Sequence, residues 1–86
     1  MRLDAPYPNP FTTSTQFTLE LEDTQYIDVE VFDLLGRKVR TIYSGTLAAG
    51  SPQAFQLEAG TLPPGEYLIR ARGESVALTK AVTLVK

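Results

Sequence analysis

The titratable side chains in this 86-residue chain are ten carboxylates, four tyrosines and eight lysines and arginines, because histidine and cysteine are both absent. Without histidine, acid–base work would fall to paired carboxylates in a cleft that raises one pKa, and a small domain with solvated acids offers no such cleft. Oxygen ligands for calcium could come from Asp23, Asp28 and Asp33, or from Glu20 with Glu22. Calcium loops gather their oxygens within about a dozen residues around a glycine-assisted turn, whereas these acids alternate with apolar residues as the polar faces of strands do. No metal or other cofactor is expected. Nucleophile elbow, phosphate loop and dinucleotide fingerprint are all missing from the sequence, so the chain is expected not to be an enzyme.

Stacking against sugar rings would need exposed aromatics. Tyr7, Tyr26 and Tyr43 are the candidates in a chain that has no tryptophan. Phe17, Phe55 and Tyr67 are claimed by the core or by a corner. The net charge is −2, with the basic residues spread along the chain and no long basic run, so a phosphate backbone would find no continuous basic surface and nucleic acid is not an expected partner. No apolar run approaches the roughly 20 residues of a membrane-spanning helix. Hydrophobic residues make up 43% and charged residues 21%, a balance that folds rather than one that stays disordered.

The elements that must position these groups are strands. Phe17, Leu19 and Leu21 alternate with Gln16, Thr18, Glu20 and Glu22, and Ile27, Val29 and Val31 alternate with Asp28 and Glu30, each with one face on a core. Phe32 then makes the second strand apolar on both sides near its end. Lys38 to Tyr43 returns, with a blurred alternation. Gly45 to Pro52 reads as a loop, Phe55 and Leu57 as a short strand, and Tyr67, Ile69 and Ala71 as the inner face of another. Val76, Leu78, Val82 and Leu84 share one parity in the last strand. Lys80 falls on that same parity, which favours a bulge there over a lysine that snorkels. The fold class is all-β, a small immunoglobulin-like Greek-key sandwich of about seven antiparallel strands.

Three short segments punctuate these strands. Ala5 to Pro10 looks like a linker, so residues 1–10 are expected to lead into a domain at 11–86, with Met1 an added start residue. In Pro8-Asn9-Pro10-Phe11 the prolines hold an extended segment, Asn9 satisfies backbone at the bend and Phe11 plugs the core. Asp33-Leu34-Leu35-Gly36 supplies a hairpin in which the aspartate bonds the backbone ahead of it and the glycine takes a positive φ. Leu62-Pro63-Pro64-Gly65-Glu66-Tyr67 rounds a corner, with the tyrosine hydroxyl tied back to backbone.

Taken in order, Pro8-Asn9-Pro10-Phe11, Thr15-x-Phe17, Val29-x-Val31-Phe32-Asp33-x-x-Gly36-Arg37-x-Val39, Gly50, Leu62-x-x-Gly65-x-Tyr67 and Lys80 cover nearly the whole chain. The series resembles the type A C-terminal sorting domain of the type IX secretion system. A related hairpin occurs in the immunoglobulin-like domain of flagellar hook-capping proteins, which lies inside a longer chain, whereas here Lys86 follows directly on the final strand. Two departures stand out. Phe55-Gln56-Leu57-Glu58 occupies the region where the family usually has an aromatic, often tryptophan, before an aspartate, and Glu20, Glu22 and Asp23 make the first strand unusually acidic.

The resemblance implies a non-catalytic address label on an exported cargo protein. Its partners would be the secretion and sortase machinery of the outer membrane and a covalently linked cargo domain upstream, and its destination the cell surface or the extracellular space. A terminal strand at a sheet edge is available for pairing with a foreign chain or with a second copy as an edge-strand dimer. Lys80, Val82, Leu84, Val85 and Lys86 are therefore the candidate recognition residues. The alternative is a carbohydrate-binding or structural accessory module of an extracellular polysaccharide-degrading enzyme, with Tyr26 or Tyr43 as the glycan contact.

Overall fold

The computed structural model describes residues 1–86. Its strands are β1 (Arg2–Leu3), β2 (Ser14–Glu20), β3 (Gln25–Asp33), β4 (Lys38–Leu47), β5 (Gln53–Glu58), β6 (Gly65–Arg72) and β7 (Ala77–Leu84). They form two antiparallel sheets, one ordered β1-β2-β5 and the other β4-β3-β6-β7. The chain crosses between sheets after β2, after β4 and after β5, which is the Greek-key path of an immunoglobulin-like sandwich.

Period-two patterning places the core. β2 buries Thr15, Phe17 and Leu19, β3 buries Ile27, Val29 and Val31, and β6 buries Tyr67, Ile69 and Ala71. These faces meet between the sheets, and Phe11, Leu57, Val82 and Leu84 complete the apolar layer.

Three elements differ from what the sequence leads one to expect. Residues 1–10 are not a free linker. Arg2 and Leu3 pair with Glu20 and Leu19, Tyr7 bridges Gln16, and Leu3 is buried. Too few residues alternate there for the pattern to be visible. β4 runs on to Leu47 through the expected loop, with Gly45 opposite Ile27. Its blurred alternation has a cause, because register shifts opposite Val29/Glu30 and Val31/Phe32 leave Ile42 and Val39 as extra residues and let consecutive side chains lean on the core. The last difference is at Lys80, where the β6–β7 register is unbroken from Ala77 to Leu84 and Lys80 stands opposite Ile69 with no bulge.

Candidate functional site

Register brings the punctuating segments to one end of the sandwich. Asp33 pairs with Tyr67, Tyr67 with Val82 and Gly65 with Leu84, and Phe11 bridges Leu84 in parallel. The β3–β4 tip, the corner before β6, the Asn9 to Phe11 segment and the end of β7 are therefore neighbours. The Gly73 turn lies at the opposite end, where Glu74 N–H is accepted by the Gln25 side chain.

At the near end the tip is held rigid by one carboxylate. Asp33 Oδ1 accepts from Leu35 N–H at 3.0 Å and Arg37 N–H at 2.9 Å, and Oδ2 accepts from Arg37 Nε at 2.8 Å. The Arg37 backbone N–H, followed by its guanidinium, holds the Asp33 carboxyl below its ordinary range. Gly36 takes φ +83° with open space around it, so the turn asks for glycine on backbone grounds alone. Leu34 and Leu35 project from this turn, 62% and 79% exposed. Beside them, Leu62 N–H bonds Ala59 C=O and the Tyr67 hydroxyl donates to Pro63 C=O, the tie expected of the corner.

β7 is the outermost strand of its sheet, with β6 as its one ladder neighbour. Part of its outer flank is closed by the segment before β2. Asn9 Oδ1 accepts from Thr83 N–H at 2.9 Å, and Asn9 Nδ2 donates to Ala81 C=O at 3.3 Å. Phe11 N–H donates to Thr83 C=O and Val85 N–H donates to Phe11 C=O, each at 2.9 Å. Thr15 Oγ1 steadies the segment by donating to Pro8 C=O at 2.7 Å. Pro8 and Pro10 both follow cis peptide bonds.

The outer face of the four-stranded sheet carries ion pairs rather than a reactive centre. Glu30, buried on central strand β3, meets Arg70 Nη2 at 2.9 Å and Lys38 Nζ at 3.3 Å. Asp28 accepts from Ser44 Oγ at 2.7 Å and from Arg72 at 3.1 Å. Hydrogen bonding by Arg70, opposed by partial desolvation, lowers the Glu30 pKa, and the Ser44 hydroxyl ahead of Arg72 lowers that of Asp28. The Arg70 guanidinium also lies 4.5 Å from the centre of the Phe32 ring, which half-buries that rim residue.

The family described as secretion system C-terminal sorting domain matches residues 5–85. The chain belongs to that family. It is a non-catalytic sorting signal of the type IX secretion system, attached to a cargo protein that it directs to the cell surface or the extracellular space. No curated protein and no solved structure matches the chain.

Within this sorting domain the expected recognition residues separate into two groups. Val85 and Lys86 are exposed at the near end and Lys80 is exposed midway along β7. Val82 and Leu84 are each 1% exposed, because their parity faces the opposing sheet, so as contact residues they are corrected to core residues. Tyr26 and Tyr43 form no joint glycan platform. Tyr26 shares the outer face with Asp28, while Tyr43 stands opposite inward-facing Val29 and packs 5.5 Å from the Phe55 ring. Asn9, which the sequence places at a bend, also caps β7, 72 and 74 residues away; the spacing carries no trace of so distant a contact.

Proposed function

We propose that the secretion machinery reads this domain along β7 and at the end of the sandwich where β7 finishes. The observation that carries this is the position of β7, a sheet-edge strand whose exposed Lys80 and Lys86 take part in no ion pair. Lys80, Val85 and Lys86 are the contacts on this reading, and Val82 and Leu84 keep the strand anchored so that its edge has a fixed shape. Pro8, Asn9, Pro10 and Phe11, with Asp33, Gly36, Arg37, Leu62, Gly65 and Tyr67, act as the frame that holds that end. The domain itself performs no reaction; a sortase that severs it from the cargo is the second partner implied.

A fluorescent reporter joined upstream of residues 1–86 tests this in a host that carries the machinery. Surface display of the fusion, lowered by Lys80→Ala combined with truncation of Val85 and Lys86, supports the reading. Retention of the unaltered fusion in the periplasm refutes it. Deleting all of Thr79 to Lys86 would be uninformative, because it also removes Val82 and Leu84 from the core.

A further inference from the structure

Only part of the β7 edge is open. In an antiparallel ladder alternate residues turn both backbone groups away from the neighbouring strand. Thr83 directs both of its groups to Asn9 and Phe11, so the outward set is Ala77, Thr79, Ala81, Thr83 and Val85. Asn9 and Phe11 occupy the Ala81 carbonyl, both groups of Thr83 and the Val85 N–H. The N–H groups of Ala77, Thr79 and Ala81 and the carbonyls of Ala77 and Thr79 have no partner.

The other edges lack this regular open stretch. β1 has two residues. β4 is broken by two register shifts. β5 has Arg40 of β4 bonded to its Glu58 carbonyl and Tyr43 against Phe55; β1 likewise lies near β7, but no hydrogen bond joins those two strands.

Resting on the targeting reading above, we infer that an extended segment of the export machinery adds as a strand to Ala77–Ala81, with an acidic side chain opposite Lys80. Lys80 selects the occupant. Its own backbone groups point to β6, so a residue facing it across an antiparallel junction sits at the closer, non-hydrogen-bonded spacing where side chains meet. Lys80 is exposed and has no carboxylate partner. A second copy of β7 fits less well: antiparallel self-pairing about Thr79 would set two Lys80 ammonium groups on one face, the arrangement by which edge lysines deter self-association.

Proline at an outward position removes an N–H that β6 does not use, and so blocks the edge while sparing the ladder. The test compares surface display of the reporter fusion for the parent, Thr79→Pro, Ala77→Pro and Lys80→Glu, with folding of each purified 86-residue domain checked by circular dichroism. Ala77 begins β7, where proline is best tolerated, so that variant keeps the test intact should Thr79→Pro unfold. Folded proline variants and Lys80→Glu are each expected to display roughly ten-fold less reporter, the loss that corresponds to one or two hydrogen bonds. Parental display by a folded proline variant overturns the strand-addition inference while leaving the targeting reading standing, and parental display by Lys80→Glu overturns the acidic partner. Failure of the unaltered fusion to reach the surface overturns the targeting reading and this inference with it. Protection of the Thr79 amide that rises with concentration of the domain alone would identify the occupant as a second copy and overturn the inference.

Discussion

Replacing Asn9 by alanine removes two contacts that close the end of β7, the acceptor to Thr83 N–H at 2.9 Å and the donor to Ala81 C=O at 3.3 Å. The shorter bond contributes about 1 kcal/mol and the longer one less, giving a loss of about 1–1.5 kcal/mol. For a domain of this size that corresponds to a drop of roughly 5–10 °C in melting temperature. The effect is local in origin, since the Phe11 C=O that accepts from Val85 N–H is backbone and survives the substitution. Thermal unfolding by circular dichroism gives the first number. Amide exchange gives the second: Thr83 N–H should exchange roughly ten-fold faster than in the parent, while Val85 N–H changes less. Asn9→Asp retains the acceptor and should leave Thr83 protected. An unchanged melting temperature together with parental protection of Thr83 in Asn9→Ala would refute the assignment of Asn9 as the clamp on this edge.

Other perturbations follow from the same geometry. Tyr67→Phe removes the hydroxyl bond to Pro63 C=O and should lower the urea midpoint by the equivalent of about 1–2 kcal/mol; no change would mean that the corner does not depend on it. Gly36→Ala meets no atoms but must hold φ +83°, so a loss of about 1 kcal/mol in denaturant unfolding is expected from backbone strain alone. Asp28, Glu30 and Asp33 have folded pKa values below their ordinary 3.8, 4.5 and 3.8. Their contribution is therefore fully present above the unfolded values and is lost as pH falls through the lowered folded ones. Unfolding free energy should be flat on the neutral side of pH 4.5 and decline on acidification, and Glu30→Gln should flatten that decline.

Much of the sandwich is legible in the residues. β2 and β6, and the apolar positions of β3 as far as Val31, alternate in sequence because one face packs on the opposing sheet and the other is polar, and period two then leaves no ambiguity about which side is inner. Asp33 with Gly36, and Leu62 with Tyr67, are equally readable, since each turn is closed within five or six residues. β4 was obscured by Val39 and Ile42, whose insertion depends on what β3 places opposite them. β1 is too short to show a period. At β7 the parity of Lys80 read correctly, but its exposure depends on how far the facing sheet extends, a property of the assembled sandwich. Asn9 is the clearest case: its amide does what a turn asparagine does, bonding nearby backbone, except that the nearby backbone belongs to the other end of the chain.

The β7 edge is shut along one half and open along the other, and residue-resolved amide exchange on the unmodified 86-residue chain measures this directly. Thr83 and Val85 should exchange slowly, while Ala77, Thr79 and Ala81 on the same flank of the same strand exchange quickly. Uniform protection along all five, or exposure of Thr83 and Val85 equal to that of Thr79, would contradict it.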